Sequence, residues 1–220
     1  MTMNLQHIEI QFRTNCFVLN CEETLEAIVI DPGAGAAAIL EYIDSNGLQL
    51  MYIVATHGHA DHVGAVSEIK RAKGVPFYLH EKEGKVLESF PDGARKFNFA
   101  DKNPPEVDAW LDVQQTYRFG NCSFKVLETP GHSPGGVCFL FEEDEYVFVG
   151  DTLFRGGIAP TDIPGSDHEL LLKSIRSQLY TLDENLVVFT GHGAVTTIGL
   201  EKMSNPFVNE PGAGLPGILK

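Results

Sequence analysis

Six consecutive residues, His57-Gly-His-Ala-Asp-His62, hold four possible metal ligands: His57, His59, Asp61 and His62. A lone histidine is ordinarily a solvated or hydrogen-bonded side chain; three of them with an aspartate in one short stretch read as a site. Neutral imidazole and carboxylate donors without a thiolate suit Zn²⁺, Fe or Mn²⁺ and not Cu(I) or an iron–sulfur cluster. Three histidines with a position left open are a catalytic zinc arrangement, whereas a closed cysteine-rich set is structural. The same ligand types recur singly downstream, each in a glycine-containing turn after an apolar run: His132 in Thr129-Pro-Gly-His-Ser-Pro-Gly-Gly136, Asp151 in Gly150-Asp-Thr-Leu-Phe154, and His192 in Thr190-Gly-His-Gly193. Buried strand, glycine, ligand, repeated, is the pattern of loops converging at one edge of a sheet.

The elements around the first cluster fit that picture. Leu48 to Ala55 is a continuous apolar run of strand type. Val63 to Lys73 has helical apolar spacing at Val63, Val66 and Ile69 and closes on Lys70, Arg71, Lys73 and Gly74. The cluster between them is expected to be a loop, because a helix or strand divides neighbouring side chains between faces.

Further strands are expected at Gln6–Ile10, Phe17–Asn20, Ala27–Ile30, Met51–Ala55, Phe77–Leu79, Thr116–Phe119, Cys122–Leu127, Val137–Phe141, Tyr146–Val149 and Leu186–Phe189, the first three forming an antiparallel meander. Helices are expected at Ala36–Asn46, Val63–Lys73, Lys82–Ser89 and His168–Tyr180, the last capped around Ser166-Asp167 with Glu169 in its first turn. Phe90 to Asp112, with Pro91, Pro104 and Pro105, reads as a long loop joining two halves. Strands then helix, twice over, give an α/β class with two sheets face to face and helices outside. One domain is expected over 1–220, with 208–220 an extended tail.

The set His57, His59, Asp61, His62, His132, Asp151 and His192, in that order, resembles the metallo-β-lactamase fold superfamily over about residues 4 to 207. The phrases Thr56-His-Gly-His-Ala-Asp-His62, Gly150-Asp-Thr-Leu-Phe154 and Thr161-Asp-Ile-Pro-Gly165 are most similar to its single-domain, glyoxalase II-like branch. The resemblance implies a four-layer αβ/βα sandwich of two mixed sheets. It implies two divalent ions, zinc first and iron or manganese as alternatives. His57, His59 and His132 would form one site, Asp61, His62 and His192 the other, and Asp151 would bridge them. Two such ions hold a water as hydroxide near neutral pH. That hydroxide would attack a small thioester, S-D-lactoylglutathione or a relative. Asp61, chiefly a ligand, is also the residue that could orient the nucleophile.

Substrate contacts are less determined. Two-domain glyoxalase II enzymes hold glutathione partly with a C-terminal helical domain, and the 28 residues after His192 cannot supply one. The resemblance to the short branch implies a basic residue a few positions after Gly-Asp-Thr-Leu-Phe; that position falls on Pro160, and Arg155 is the candidate substitute. Two competing readings follow from the same residues. One is a glutathione persulfide dioxygenase with a single Fe(II) on His57, His132 and Asp151, a two-histidine, one-carboxylate set. The other is a metal-stabilised binding protein without turnover. A flavodiiron protein would want a carboxylate where His59 stands.

The bulk numbers set outer bounds. A net charge of −14 over 220 residues excludes nucleic acid as a natural partner and makes the superfamily's nucleases poor models. No apolar stretch reaches the roughly 18 residues of a membrane span. The N-terminal residues show no basic-then-apolar leader, so a cytoplasmic location is expected and a secreted antibiotic-degrading enzyme is not. Oligomeric state is left open. Cys16, Cys122 and Cys138 read as core residues and Cys21, at a polar turn, as more exposed; no disulfide is expected. Asp31 is either a carboxylate supporting a ligating histidine or a turn residue, and Thr56 a strand-end residue that could reach a ligand. His7, His80 and His168 read as surface residues, and Arg13 and Asn15 as possible neighbours of the site edge.

Overall fold

The structure, a computed structural model, describes residues 3–9 and 14–209. Arg13, Ile10 and most of the expected tail lie outside the described residues. The first sheet runs in the order β1 (Met3–Glu9), β2 (Asn15–Cys21), β3 (Glu26–Ile30), β4 (Gln49–Val54), β5 (Phe77–Leu79), β6 (Ala109–Trp110). β1, β2 and β3 form the expected antiparallel meander, and β3 to β6 are parallel. The second sheet is built from β7 (Thr116–Phe119), β8 (Cys122–Glu128), β9 (Val137–Phe141), β10 (Tyr146–Gly150), β13 (Val187–Thr190) and β14 (Thr196–Thr197). There β10 and β13 are parallel neighbours and the rest antiparallel. A small hairpin, β11 (Leu153–Phe154) with β12 (Gly157–Ile158), stands apart.

Period-2 alternation divides the apolar residues among three layers. Along β2, Phe17 and Leu19 join Ile28, Ile30, Phe119, Phe124, Phe139 and Phe148 between the sheets. Cys16 and Val18 face the other way, into a core with Ile39 and Ile43 of α1 (Ala36–Ser45) and Val66 and Ile69 of α3 (Val66–Lys73). Behind the second sheet, Leu140, Val147 and Val188 pack on Leu171 and Leu172 of α6 (His168–Ser174). The result is the expected four-layer αβ/βα sandwich. Among the described residues no helix is long and apolar enough to cross a membrane.

Several expectations need correction. The stretch read as one helix from Val63 splits into α2 (Ala60–Val63) and α3, with Gly64 and Ala65 between them. Asp61 and His62 therefore sit on a single helical turn, and only His57 to His59 are loop. One turn suffices because adjacent helical positions differ by about 100°, which lets the two side chains address different sides of one site. Residues expected as the Lys82–Ser89 helix form a 3₁₀ turn, Glu81–Glu83, followed by α4 (Gly84–Leu87). The expected long loop contains α5 (Phe90–Lys96) and β6. The end of the last expected long helix is a π-turn over Ile175–Leu179. Cys21 is as buried as the other three cysteines, all of them free, because the Gly120 turn closes over its side chain. His80 is also buried, its ring accepting a bond from the Lys82 N–H at the start of the 3₁₀ turn. α7 (Ile198–Ser204), capped by Thr197, was not expected.

Candidate metal centre

The candidate ligands come together at the ends of strands from both sheets. β4 delivers His57 and His59, and α2 follows with Asp61 and His62. The turn after β8 carries His132, the end of β10 carries Asp151, and the end of β13 carries His192. Ligand atoms of His57, His59 and His132 lie within 4.8 Å of one another, as do those of Asp61, His62 and His192, and those of His57, His62 and Asp151. Asp151 stands between the groups: Oδ1 is 3.5 Å from Nε2 of His62, and Oδ2 is 3.6 Å from Nε2 of both His132 and His192.

His57, His62 and His132 each have Nδ1 occupied from outside the cluster, which aims Nε2 inward. Nδ1 of His57 meets the Thr56 hydroxyl at 3.1 Å, and Nδ1 of His132 meets the Pro160 carbonyl at 2.8 Å. Nδ1 of His62 meets Asp31 Oδ2 at 3.1 Å, and both are buried. Asp31 is fixed in turn by the Thr56 N–H and hydroxyl, each donating at 2.7 Å. Asp31 is therefore both a residue of the turn after β3 and the carboxylate that supports His62, and Thr56 reaches His57 as well as Asp31. Asn15 holds the His192 turn: its amide donates to the carbonyls of Thr190 at 2.9 Å and Gly193 at 3.0 Å. Gly191 is required by close approach, since a Cβ there would stand 2.3 Å from Asp151 Oδ1.

Two donors carry the test of whether these residues fit a metal. His57 Nε2 and Asp151 Oδ1 are buried and have no hydrogen-bond partner among the described residues, an expensive condition for polar atoms unless another ligand meets them. His132 Nε2 and His59 Nδ1 lie 3.1 Å apart, close to the roughly 3.3 Å that two nitrogens show on one tetrahedral ion. Protonation preferences divide the cluster into rings kept neutral and rings that the carboxylates draw towards positive charge. Burial, then the neighbouring imidazoles, hold His57 well below the usual histidine range and His59 at about 3. Burial also works against charge on His62, but Asp151 and Asp31 overcome it and lift that ring to about 10. His192 is raised by Asp61 and Asp151 against its own burial. Asp61 is held far below the usual carboxylate range by His192 and His62, despite burial. Imidazoles and carboxylates that interact this strongly around unpartnered donor atoms fit divalent cations.

Two residues escaped the sequence reading. Glu83 is fully buried and accepts the Gly58 N–H at 2.7 Å and the Gly135 N–H at 2.6 Å. One carboxylate thereby ties the His57–His59 loop to the His132 turn. Burial raises its pKa although both N–H donors pull the other way. The second is Lys96, on α5, a segment whose sequence predicts a loop. It lines a cleft of about 630 Å³ shared with His59, Asp61, His132, Asp151 and His192. Arg155, the basic candidate from the sequence, is exposed in the β11–β12 turn and is not among the residues lining this cleft.

A fold and donor set of this kind define a class, and the chain belongs to the metallo-beta-lactamase superfamily, whose family model matches residues 10–192. It is 38% identical to hydroxyacylglutathione hydrolase GloC of Haemophilus influenzae, across 94% of this chain and 99% of that protein. Among solved structures it is similar to BLEG-1 B3 metallo-beta-lactamase, with a TM-score of 0.86 and 35% identity over 94% of this chain and 100% of that one. It is likewise similar to TTHA1623 in a di-iron-bound form, with a TM-score of 0.82 and 36% identity over 92% and 99% of the two chains.

Proposed function

We propose that this protein is a metal-dependent hydrolase of a small acyl-thioester, S-D-lactoylglutathione or a related compound. The convergence of two donor triads on either side of Asp151 carries the reading. The relationship to a hydroxyacylglutathione hydrolase over nearly the whole chain supports the choice of substrate. His57, His59 and His132 would hold one divalent ion, Asp61, His62 and His192 a second, with Asp151 shared. Zinc is the first choice, and iron or manganese fit the same donors. When bound, such ions polarise a carbonyl oxygen and make water a nucleophile near neutral pH.

The chain's own groups do the remaining work. Asp31, Thr56 and the Pro160 carbonyl fix ring orientation, so that the inward nitrogens need not reorganise during turnover. Asp61, kept ionised by His192 and His62, is able to accept a hydrogen bond from the attacking water and orient it. Apolar neighbours in the cleft, Phe97, Phe154, Ile163 and Pro164, would exclude bulk water from around the acyl group.

A single-iron dioxygenase acting on glutathione persulfide would need only His57, His132 and Asp151. The additional Asp61, His62 and His192 triad favours the two-ion hydrolase. The deciding assay is hydrolysis of S-D-lactoylglutathione by protein of known metal content. Turnover above about 1 s⁻¹, the ordinary enzyme range, lost in His59→Ala, supports the proposal. No turnover with two ions bound rejects this substrate.

A further inference from the structure

Helix α5 brings a patterned face to the cleft. Ser89, Asp92, Gly93 and Lys96 all line it, and positions i, i+3, i+4 and i+7 fall on one helical face. The helix is set close to the candidate centre: a Cβ on Gly93 would lie 2.7 Å from the Cβ of Ala60, the first residue of the turn bearing Asp61 and His62. Among the described residues lining the cleft, Lys96 is the one fixed positive charge.

Among the described residues its ammonium pairs with no carboxylate. It lies 5.5 Å from the centroid of the Phe97 ring, whereas Asp92 is paired with Arg95. Around a chain of net charge −14, an anionic substrate is repelled in general, and Lys96 gives the cleft a side chain with which an anionic group can pair. Pro160 lines the same cleft without charge. The remaining lining is largely apolar, so an organic group ending in an anion matches the cleft from the candidate centre outward. A cleft of about 630 Å³ is of the size that holds a small organic ligand.

We infer that Lys96 is the specificity-determining residue of this cleft and receives a carboxylate of the thiol half of the substrate, remote from the scissile bond. The substrate class is therefore an acyl-thioester of a carboxylate-bearing thiol. This rests on the thioesterase reading above.

The test compares S-D-lactoylglutathione with S-lactoyl-N-acetylcysteamine, which has the same scissile bond and no charge. The ratio of kcat/KM for the anionic over the neutral thioester is expected to fall about tenfold in Lys96→Ala, mainly through KM, the scale of one charged hydrogen bond partly open to water. It should fall further in Lys96→Glu and recover in Lys96→Arg. Lys85→Ala removes the same charge from the neighbouring helix α4, where the side chain does not line the cleft, and should leave the ratio unchanged. An unchanged ratio in Lys96→Ala, or an equal fall in Lys85→Ala, overturns the inference. If the wild type cleaves neither thioester, the thioesterase reading fails by itself. Binding of S-methylglutathione, which cannot be hydrolysed, to the metal-loaded protein then decides the role of Lys96. About tenfold weaker binding in Lys96→Ala supports it, while equal affinity, or no binding to the wild type, overturns it.

Discussion

Asp31 and His62 meet at 3.1 Å, carboxylate to Nδ1, with both side chains removed from water. Asp31 belongs to the turn after β3 and His62 to the helical turn after β4, so two parallel strands in register place them together. Replacing Asp31 by Asn keeps the volume but weakens the grip on Nδ1 and leaves one Thr56 donor poorly met. Metal affinity in competition with a chelator should fall about 10- to 100-fold, while circular dichroism stays native. Unchanged affinity would remove Asp31 from the account.

Glu83 makes a different prediction. In Glu83→Ala the Gly58 and Gly135 N–H groups are both left buried without an acceptor. The cost expected in urea denaturation is about 2–6 kcal/mol, from roughly 1–3 kcal/mol per unmet donor. Glu83→Gln retains an acceptor for only one of the two and should lie in between. A loss below about 1 kcal/mol would mean that solvent reaches the loops.

Gly191 tests the packing of the two strand ends. A methyl group at this position cannot coexist with Asp151 as oriented, the separation being 2.3 Å. Gly191→Ala should retain the fold and lose most of its bound metal, read by elemental analysis after gel filtration. Full metal content would contradict the placement of Asp151.

The pH dependence of the metal-free protein follows from its imidazoles. His57 and His59 have folded-state pKa values below the unfolded value of about 6.5, that of His59 near 3. The native state thus binds fewer protons than the unfolded state through this window, and stability is lost as pH falls from about 6.5 towards 3. His62 has the opposite sign: lifted to about 10, its contribution is complete below about 6.5 and is lost as pH rises through 10. Thermal melts of chelator-treated protein should therefore show highest Tm near pH 6 to 7, with loss on both sides. A flat profile would contradict the strong coupling within the cluster.

The sandwich was readable because its strands are long apolar runs with glycine or proline between them, and the ligand residues follow those runs directly. What escaped notice has local causes. Pro91 and Gly93 look like helix breakers, yet Pro91 sits in the first turn, where its missing N–H costs nothing, and Gly93 is there to let α5 touch α2. With α5 read as a loop, the face carrying Lys96 could not be seen. Glu83 lies among Glu81, Lys82 and Lys85, a run indistinguishable from solvated surface until the fold puts two ligand loops above it. β6, two residues long, has no periodicity to detect. Asp31 and Thr56 lie 25 positions apart, and no local signal could have paired them.

A two-ion hydrolytic centre is tested by joining metal content to reaction type on one preparation. Protein reconstituted with zinc, iron or manganese should bind about two ions per chain and release D-lactate and glutathione from S-D-lactoylglutathione without consuming oxygen. One iron per chain, with oxygen consumed in the presence of glutathione persulfide and no thioester cleaved, would contradict the account.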